Sequence, residues 1–309
     1  MKISTLVAVL DIGSNSTMLT ISTTNLPTPE MILELCEVTS LAKGVDKTGL
    51  LSEDAMTRTR EIIIQFVAQA KVFGVKHFYG TATSAVRDAK NGKLFIDSIF
   101  EAVGFKPEIL EGQEEADTVF LGTTADLAIG TKVITCDPGG GSTEINIGIV
   151  GQAPFYGKSF DVGCVRQGDR FNLYEESSAQ DITAAREEIK SILSEAFSQV
   201  DSAEYQLVIS AGTATTYGAM ELELSVYDRD KVHLSEGKQA PLESWITELF
   251  SLTIIERRQI PSIGNRAATI PSGLLIMSEV LKGFNKQDFL ISAKALRHGV
   301  LLKACKSLA

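Results

Sequence analysis

The sequence predicts an α/β protein of two related lobes facing each other across a cleft, and three observations predict it. A strand-and-turn phrase occurs twice, as V-A-V-L-D-I-G-S-N-S-T at residues 7–17 and V-I-T-C-D-P-G-G-G-S-T at residues 133–143. A second phrase, G-T-A-T, follows each copy in the same order, at residues 80–83 and 212–215. Short apolar runs bounded by Gly, Pro or Ser alternate with amphipathic stretches at helical spacing. Two different phrases repeated in one order argue for a duplication. The 309 residues are long for one core and fit two lobes. We expect residues 1–121 as the first lobe and 122–295 as the second, with a last helix from residue 296 crossing back to complete the first.

Taken in order, residues 6–10 form an apolar run before a Gly turn, the pattern of a buried central strand. Residues 18–22 and 32–38 continue as strands, with Pro27 and Pro29 in the connection. Ser52 is placed to cap a helix, with Glu53 and Asp54 in its first turn. Ile62, Ile63, Phe66, Val67 and Ala70 carry the helical period, and Gly74 ends it. Residues 76–79 read as a strand, 94–103 as a helix and 106–110 as a short strand. The second lobe repeats the theme: strands at 133–136 and 144–150, a helix over 183–200, a strand at 206–210, then helices over 242–252 and 271–281. Pro271 suits a first helical turn.

Composition narrows the function classes. Apolar residues make up 44% and charged residues 22%, ordinary for a globular chain. A net charge of -10 argues against a broad nucleic-acid-binding face. An anionic substrate then needs local basic side chains and a metal ion. Cys36, Cys136, Cys164 and Cys305 are scattered without zinc spacing, which points to reduced thiols and a cytoplasmic location. The apolar start is too short for a signal peptide and lacks a small-residue cleavage site. No apolar run is long enough to span a membrane.

The chemistry concentrates in a few segments. In D-P-G-G-G-S-T-E, Gly139, Gly140 and Gly141 let the backbone approach a ligand closely, and Ser142 and Thr143 add hydroxyls. Asp137 and Glu144 flank the loop and could hold a hard cation through oxygen. The plain alternative is a tight turn with a solvated Glu. The duplicate in the first lobe, Asp11, Gly13, Ser14, Asn15 and Ser16, favours phosphate binding instead. Arg87 follows small residues and could reach an anion, or simply pair with Asp88. Gly212 and Thr213 belong to a small-residue loop suited to close contact, or to an ordinary turn. In E-G-Q-E-E-A, each of Glu111, Glu114 and Glu115 could take a proton from an attacking water, or mark an acidic helix start. His77, His233 and His298 stand alone and assemble no triad, and the lone Trp245 reads as core.

The motifs D-I-G-S-N-S, A-T-S-A-V-R, E-G-Q-E-E-A, D-P-G-G-G-S-T-E, G-C-V-R and A-G-T-A-T-T, in that order, resemble those of the Ppx/GppA phosphatases. The resemblance spans nearly the whole chain. It implies two ribonuclease-H-like lobes of the actin-like type with an active-site cleft between them. It also implies Glu115 as general base, Asp137 and Glu144 with Asp11 at the metal, Gly139 in the phosphate loop, and Gly13, Ser14, Asn15 and Arg87 on phosphate. Magnesium or another divalent cation is the implied cofactor. The implied substrates are inorganic polyphosphate or, alternatively, guanosine pentaphosphate. A kinase or ATPase of the same fold and a non-catalytic sensor are the rival readings. The chain departs from the family pattern at Ser40, Pro138, Asn265, Ala293 and His298. A homodimer is left open.

Overall fold

The computed structural model describes residues 5–308 apart from Thr28 and Glu176. The chain divides into two units, Met1–Gly122 with Leu296–Ala309, and Thr123–Ala295.

In the first unit, β1 (Leu6–Ile12), β2 (Ser16–Thr23) and β3 (Met31–Val38) form an antiparallel meander. β4 (His77–Ala82) lies parallel to β1, and β5 (Glu108–Ile109) parallel to β4, giving the order β3-β2-β1-β4-β5. β1 is central, so Val7, Ala8, Val9 and Leu10 are all buried, as a strand covered on both faces requires. The helix Glu53–Val72 starts where Ser52 accepts a hydrogen bond from the Ala55 N–H at 3.3 Å. Its buried stripe is Ala55, Thr59, Ile63, Phe66, Val67 and Ala70. The helix Leu296–Leu308 closes this unit, with Leu296, Val300, Leu301, Ala304 and Cys305 packed on Val7, Val9, Leu110 and Val119.

The second unit repeats the order. β6 (Lys132–Pro138), β7 (Thr143–Ile149) and β8 (Tyr156–Phe160) form the meander, and β9 (Gln206–Ile209) runs parallel to β6. Two further strands extend it beyond β9, β10 (Glu236–Lys238) and β11 (Asp288–Ile291); like β8, both are absent from the sequence reading. The full order is β10-β11-β9-β6-β7-β8. The helix Ile270–Gly283 is buried on nearly every side from Ile270 to Leu281 and forms the middle of this core. Arg186 joins it to its neighbours through Glu279 at 2.6 Å and Glu243 at 2.8 Å.

The matching strand orders carry the duplication, but one of the repeated phrases does not. Thr83 and Ser210 are the equivalent residues: each ends its strand and opens a helix, with nearly the same backbone angles (φ -114°, ψ -152° and φ -110°, ψ -158°). The first G-T-A-T lies mostly before its cap, with Gly80, Thr81 and Ala82 drawn into β4 by pairing with Leu10, Asp11 and Ile12. The second lies after its cap, inside the helix Ala211–Glu221. Gly212 and Thr213 are therefore helical, not part of a loop. Four small residues carry no period of their own, so the neighbouring strand decides their conformation.

Candidate functional site

In the second unit the turn between β6 and β7 is closed by the Gly139 N–H donating to Ser142 O at 2.9 Å. Its carbonyls are taken by the segment that follows β8. Cys164 N–H donates to Gly139 O at 2.9 Å, and Val165 N–H to Gly140 O at 2.8 Å. The Arg166 Nε donates to Gly141 O at 2.7 Å. With the three glycine carbonyls turned to that side, the amides of Gly140, Gly141 and Ser142 make no backbone bond among the described residues. Three successive unpaired N–H groups in a glycine turn form an anion-binding concavity. Gly163 is what permits the approach, because a Cβ there would fall on the main chain of Gly140 and Gly141.

Asp137 and Glu144 are direct partners across β6 and β7, so both carboxylates leave the same face of the sheet. Both are buried. Burial pushes the Asp137 carboxyl up to about 6, against the pull of the Ser210 hydroxyl, which donates to it at 2.5 Å. Glu144 accepts from Ser142 at 2.8 Å and Ser159 at 2.7 Å. Two like charges on one buried face, beside a phosphate-type turn, suit a divalent cation that completes its shell with water and substrate oxygens. Among the described residues no group of three or more His, Cys, Asp or Glu side chains gathers as a metal cage.

The helix Ala211–Glu221 begins beside this face. Gly212 lies directly under the Arg266 guanidinium, where a Cβ would collide with it. Among the described residues Arg266 has no ion-pair partner. It also lies near Cys164, whose thiol burial pushes up while the Arg266 charge pulls the other way. Sequence reasoning passed over Arg266; the signal available was the N-R-A segment, noted only for Asn265.

The first unit uses the same device. The Gly13 N–H donates to Ser16 O at 3.0 Å, closing the β1–β2 turn. Ala42 N–H takes Ser14 O, and Thr39 and Ser40 N–H take Asn15 O, all from the segment after β3. Ser40, a departure from the family pattern, adopts a left-handed conformation with φ 49° to do so. Ser14 Oγ lies 2.9 Å from Ser84 Oγ and accepts the Ala85 N–H at 3.1 Å. Asn15 and Ser16 are buried, yet both amide atoms of Asn15 and the hydroxyl of Ser16 have no protein partner. Buried polar groups are rarely left so, which points to a ligand as the missing partner. Asp11 sits on β1 level with Thr81 of β4.

Of the three glutamates, Glu111 and Glu114 are exposed, whereas Glu115 is buried at 4% exposure in the first turn of the helix Gly112–Thr123. Arg87 Nη1 donates to Glu115 Oε2 at 2.6 Å and to Leu110 O at 2.9 Å. Its Nε lies 3.9 Å from Asp88. The short helix Ser84–Asp88 and the longer one thus hold a half-buried arginine against a buried carboxylate.

Comparison with known proteins places the chain in a family. The model of the Ppx/GppA phosphatase family matches residues 19–308. Exopolyphosphatase 2 of Mycobacterium tuberculosis is 28% identical over 99% of this chain and 99% of its own length. The guanosine-5'-triphosphate,3'-diphosphate pyrophosphatase of Photobacterium profundum is 25% identical over 97% of this chain, which spans 59% of that protein. The Aquifex aeolicus family member's crystal structure is 28% identical, covers 98% of both chains and gives a TM-score of 0.81. A match this long, over a chain with two equivalent glycine turns, places this protein in the Ppx/GppA phosphatase family.

Proposed function

We propose that this chain removes the terminal phosphate of inorganic polyphosphate. The observation that carries the reading is the Gly139–Ser142 turn: its carbonyls are consumed by residues 164–166, its amides are left for an anion, and two buried carboxylates flank it. Phosphate oxygens accept from the amides of Gly140, Gly141 and Ser142 and from the guanidinium of Arg266. The turn of the first unit binds phosphate through Asn15 and Ser16. Arg87 holds the Glu115 carboxylate in place through the 2.6 Å bond. Glu115 takes a proton from water as the water oxygen bonds to the terminal phosphorus. The bridging P–O bond breaks, and its oxygen leaves on the shortened chain. Asp137 and Glu144 would hold magnesium, which when bound offsets the charge of the transferring phosphoryl group.

The exopolyphosphatase relative supports polyphosphate. The Photobacterium relative supports guanosine pentaphosphate as the alternative substrate. Phosphate release from short polyphosphate and from guanosine pentaphosphate, measured side by side with magnesium, decides between them. Glu115→Gln should lower release ~10²–10⁴-fold while leaving tripolyphosphate binding in place. A variant that keeps full release removes Glu115 from the mechanism.

A further inference from the structure

Among the described residues Arg257 is the largest fully buried side chain, at 1% exposure. Burying a charge is costly, and a buried arginine is ordinarily matched by a carboxylate in direct contact. Among the described residues no carboxylate lies within ion-pair distance of Arg257, and the Glu175 charge acts on it only from further away. Its guanidinium is spent on main-chain carbonyls instead: Nε donates to Leu249 O at 2.7 Å, and Nη1 to Tyr174 O at 2.6 Å and Ala267 O at 3.3 Å. An apolar side chain of similar volume would avoid the desolvation cost, so the charge needs another reason to be there.

We propose that Arg257 is a positioning residue that sets the Arg266 guanidinium and the Gly139–Ser142 turn in register with each other. The inference rests on the phosphate-binding reading of those two features. One arm is short. Ala267, held by Arg257, directly follows Arg266, and Arg266 lies across Gly212. The other arm runs through Tyr174, whose carbonyl accepts from Arg257. Its hydroxyl, which donates to Asp169 Oδ1 at 2.7 Å, also lies 3.1 Å from Val165 O, and its ring packs on Gly168 beside that segment. Val165 N–H in turn holds Gly140 O. A planar fork can bind three carbonyls from separate segments in one fixed geometry, which the single ammonium of a lysine cannot reproduce.

The test uses the full chain, with tripolyphosphate binding followed by calorimetry and turnover measured with magnesium. Arg257→Lys is compared with Leu193→Ala, a packing change elsewhere in the same core. Arg257→Lys should raise Kd and KM about tenfold with much less effect on kcat, as for loss of a hydrogen bond to a charged group. In an Arg266→Ala background it should cost much less than it does alone, as expected for coupled positions. Equal Kd values for Arg257→Lys and Leu193→Ala, or fully additive effects with Arg266→Ala, overturn the inference. Tyr174→Phe keeps the ring and removes the hydroxyl contacts to Val165 and Asp169 that tie the second arm to the turn, so it serves if Arg257→Lys does not fold; an unchanged Kd in it is equally fatal. Wild-type protein that binds tripolyphosphate without turnover overturns the hydrolase reading and leaves the Kd comparison intact. Wild-type protein that does not bind overturns both.

Discussion

Asn15 and Ser16 show how a single residue can report a ligand. Each buries polar atoms without a protein partner, at a cost of ~1–3 kcal/mol per unmet group. Other buried hydroxyls such as those of Thr20 and Thr81 are also unmet, but Asn15 and Ser16 concentrate three such atoms in one turn, beside a fully engaged Ser14. Glu115 is the complementary case: spacing leaves Glu111, Glu114 and Glu115 open, the family resemblance implies Glu115, and of the three it is the one buried against Arg87. His233 supplies a further residue-scale prediction. Its Nδ1 accepts the Ala293 N–H at 3.1 Å, so the ring proton sits on Nε2 and is donated to Asp126 at 2.9 Å. A second proton would face a donor already in place, with Lys294 and Arg229 adding positive charge nearby. Burial, and then those charges, lower its pKa below the ordinary 6.5, while Asp126 opposes them. Between the lowered folded value and 6.5 the unfolded chain binds more protons, so stability falls as pH drops through this window and is unaffected above it. Urea denaturation across the window should show that slope in the native protein and lose it in His233→Gln. An identical slope in both would assign it to other groups.

At the scale of elements, the informative pieces are the segments that brace each glycine turn from behind. Thr39–Ala42 and Cys164–Arg166 do not announce bracing by residue type, although G-C-V-R at residues 163–166 is one of the motifs that carry the family resemblance. Most of their work is done by main-chain N–H groups, which every residue but proline carries, with the Arg166 Nε as the side-chain exception. This is why the sequence located the turns and flagged a motif but did not show that these segments orient the turns. Gly163→Ala tests the arrangement, because its Cβ would force Gly140 and Gly141 away. We expect a stability loss of about 1–3 kcal/mol, as for other overpacked sites. Phosphate release should fall further than that loss explains. Thermal melting alongside turnover checks both; normal turnover would mean that the turn does not need this bracing.

For the whole molecule, the first unit depends on a segment distant in sequence, being built from residues up to Gly122 together with the helix Leu296–Leu308. Leu296, Val300 and Leu301 fill the face of β1, and fully burying such side chains is worth ~1.5–3 kcal/mol each. Lys303 adds a bond to Thr118 at 2.6 Å, and Arg297 pairs with Glu34 at 2.6 Å. Small domains are stable by only ~5–15 kcal/mol, so this unit should not survive without the helix. A chain stopped at residue 295 should therefore be digested by protease over residues 5–122 while residues 123–295 resist. Resistance over both stretches would show that the helix is dispensable.

The sequence by itself determined the family, the phosphatase class and the α/β architecture, because glycine turns after buried strands and the alternation of strand and helix periods are local patterns. It placed most elements within a few residues for the same reason. It also misled locally: the second G-T-A-T is helical, since small residues take their conformation from what lies beside them. Only the tertiary structure decided which of three glutamates is buried against an arginine, that Arg266 lies over Gly212, and that Arg257 is buried among carbonyls from three segments. Those facts depend on packing between residues far apart in the chain, and nothing in the spacing of a linear sequence encodes which distant carbonyl a guanidinium will meet.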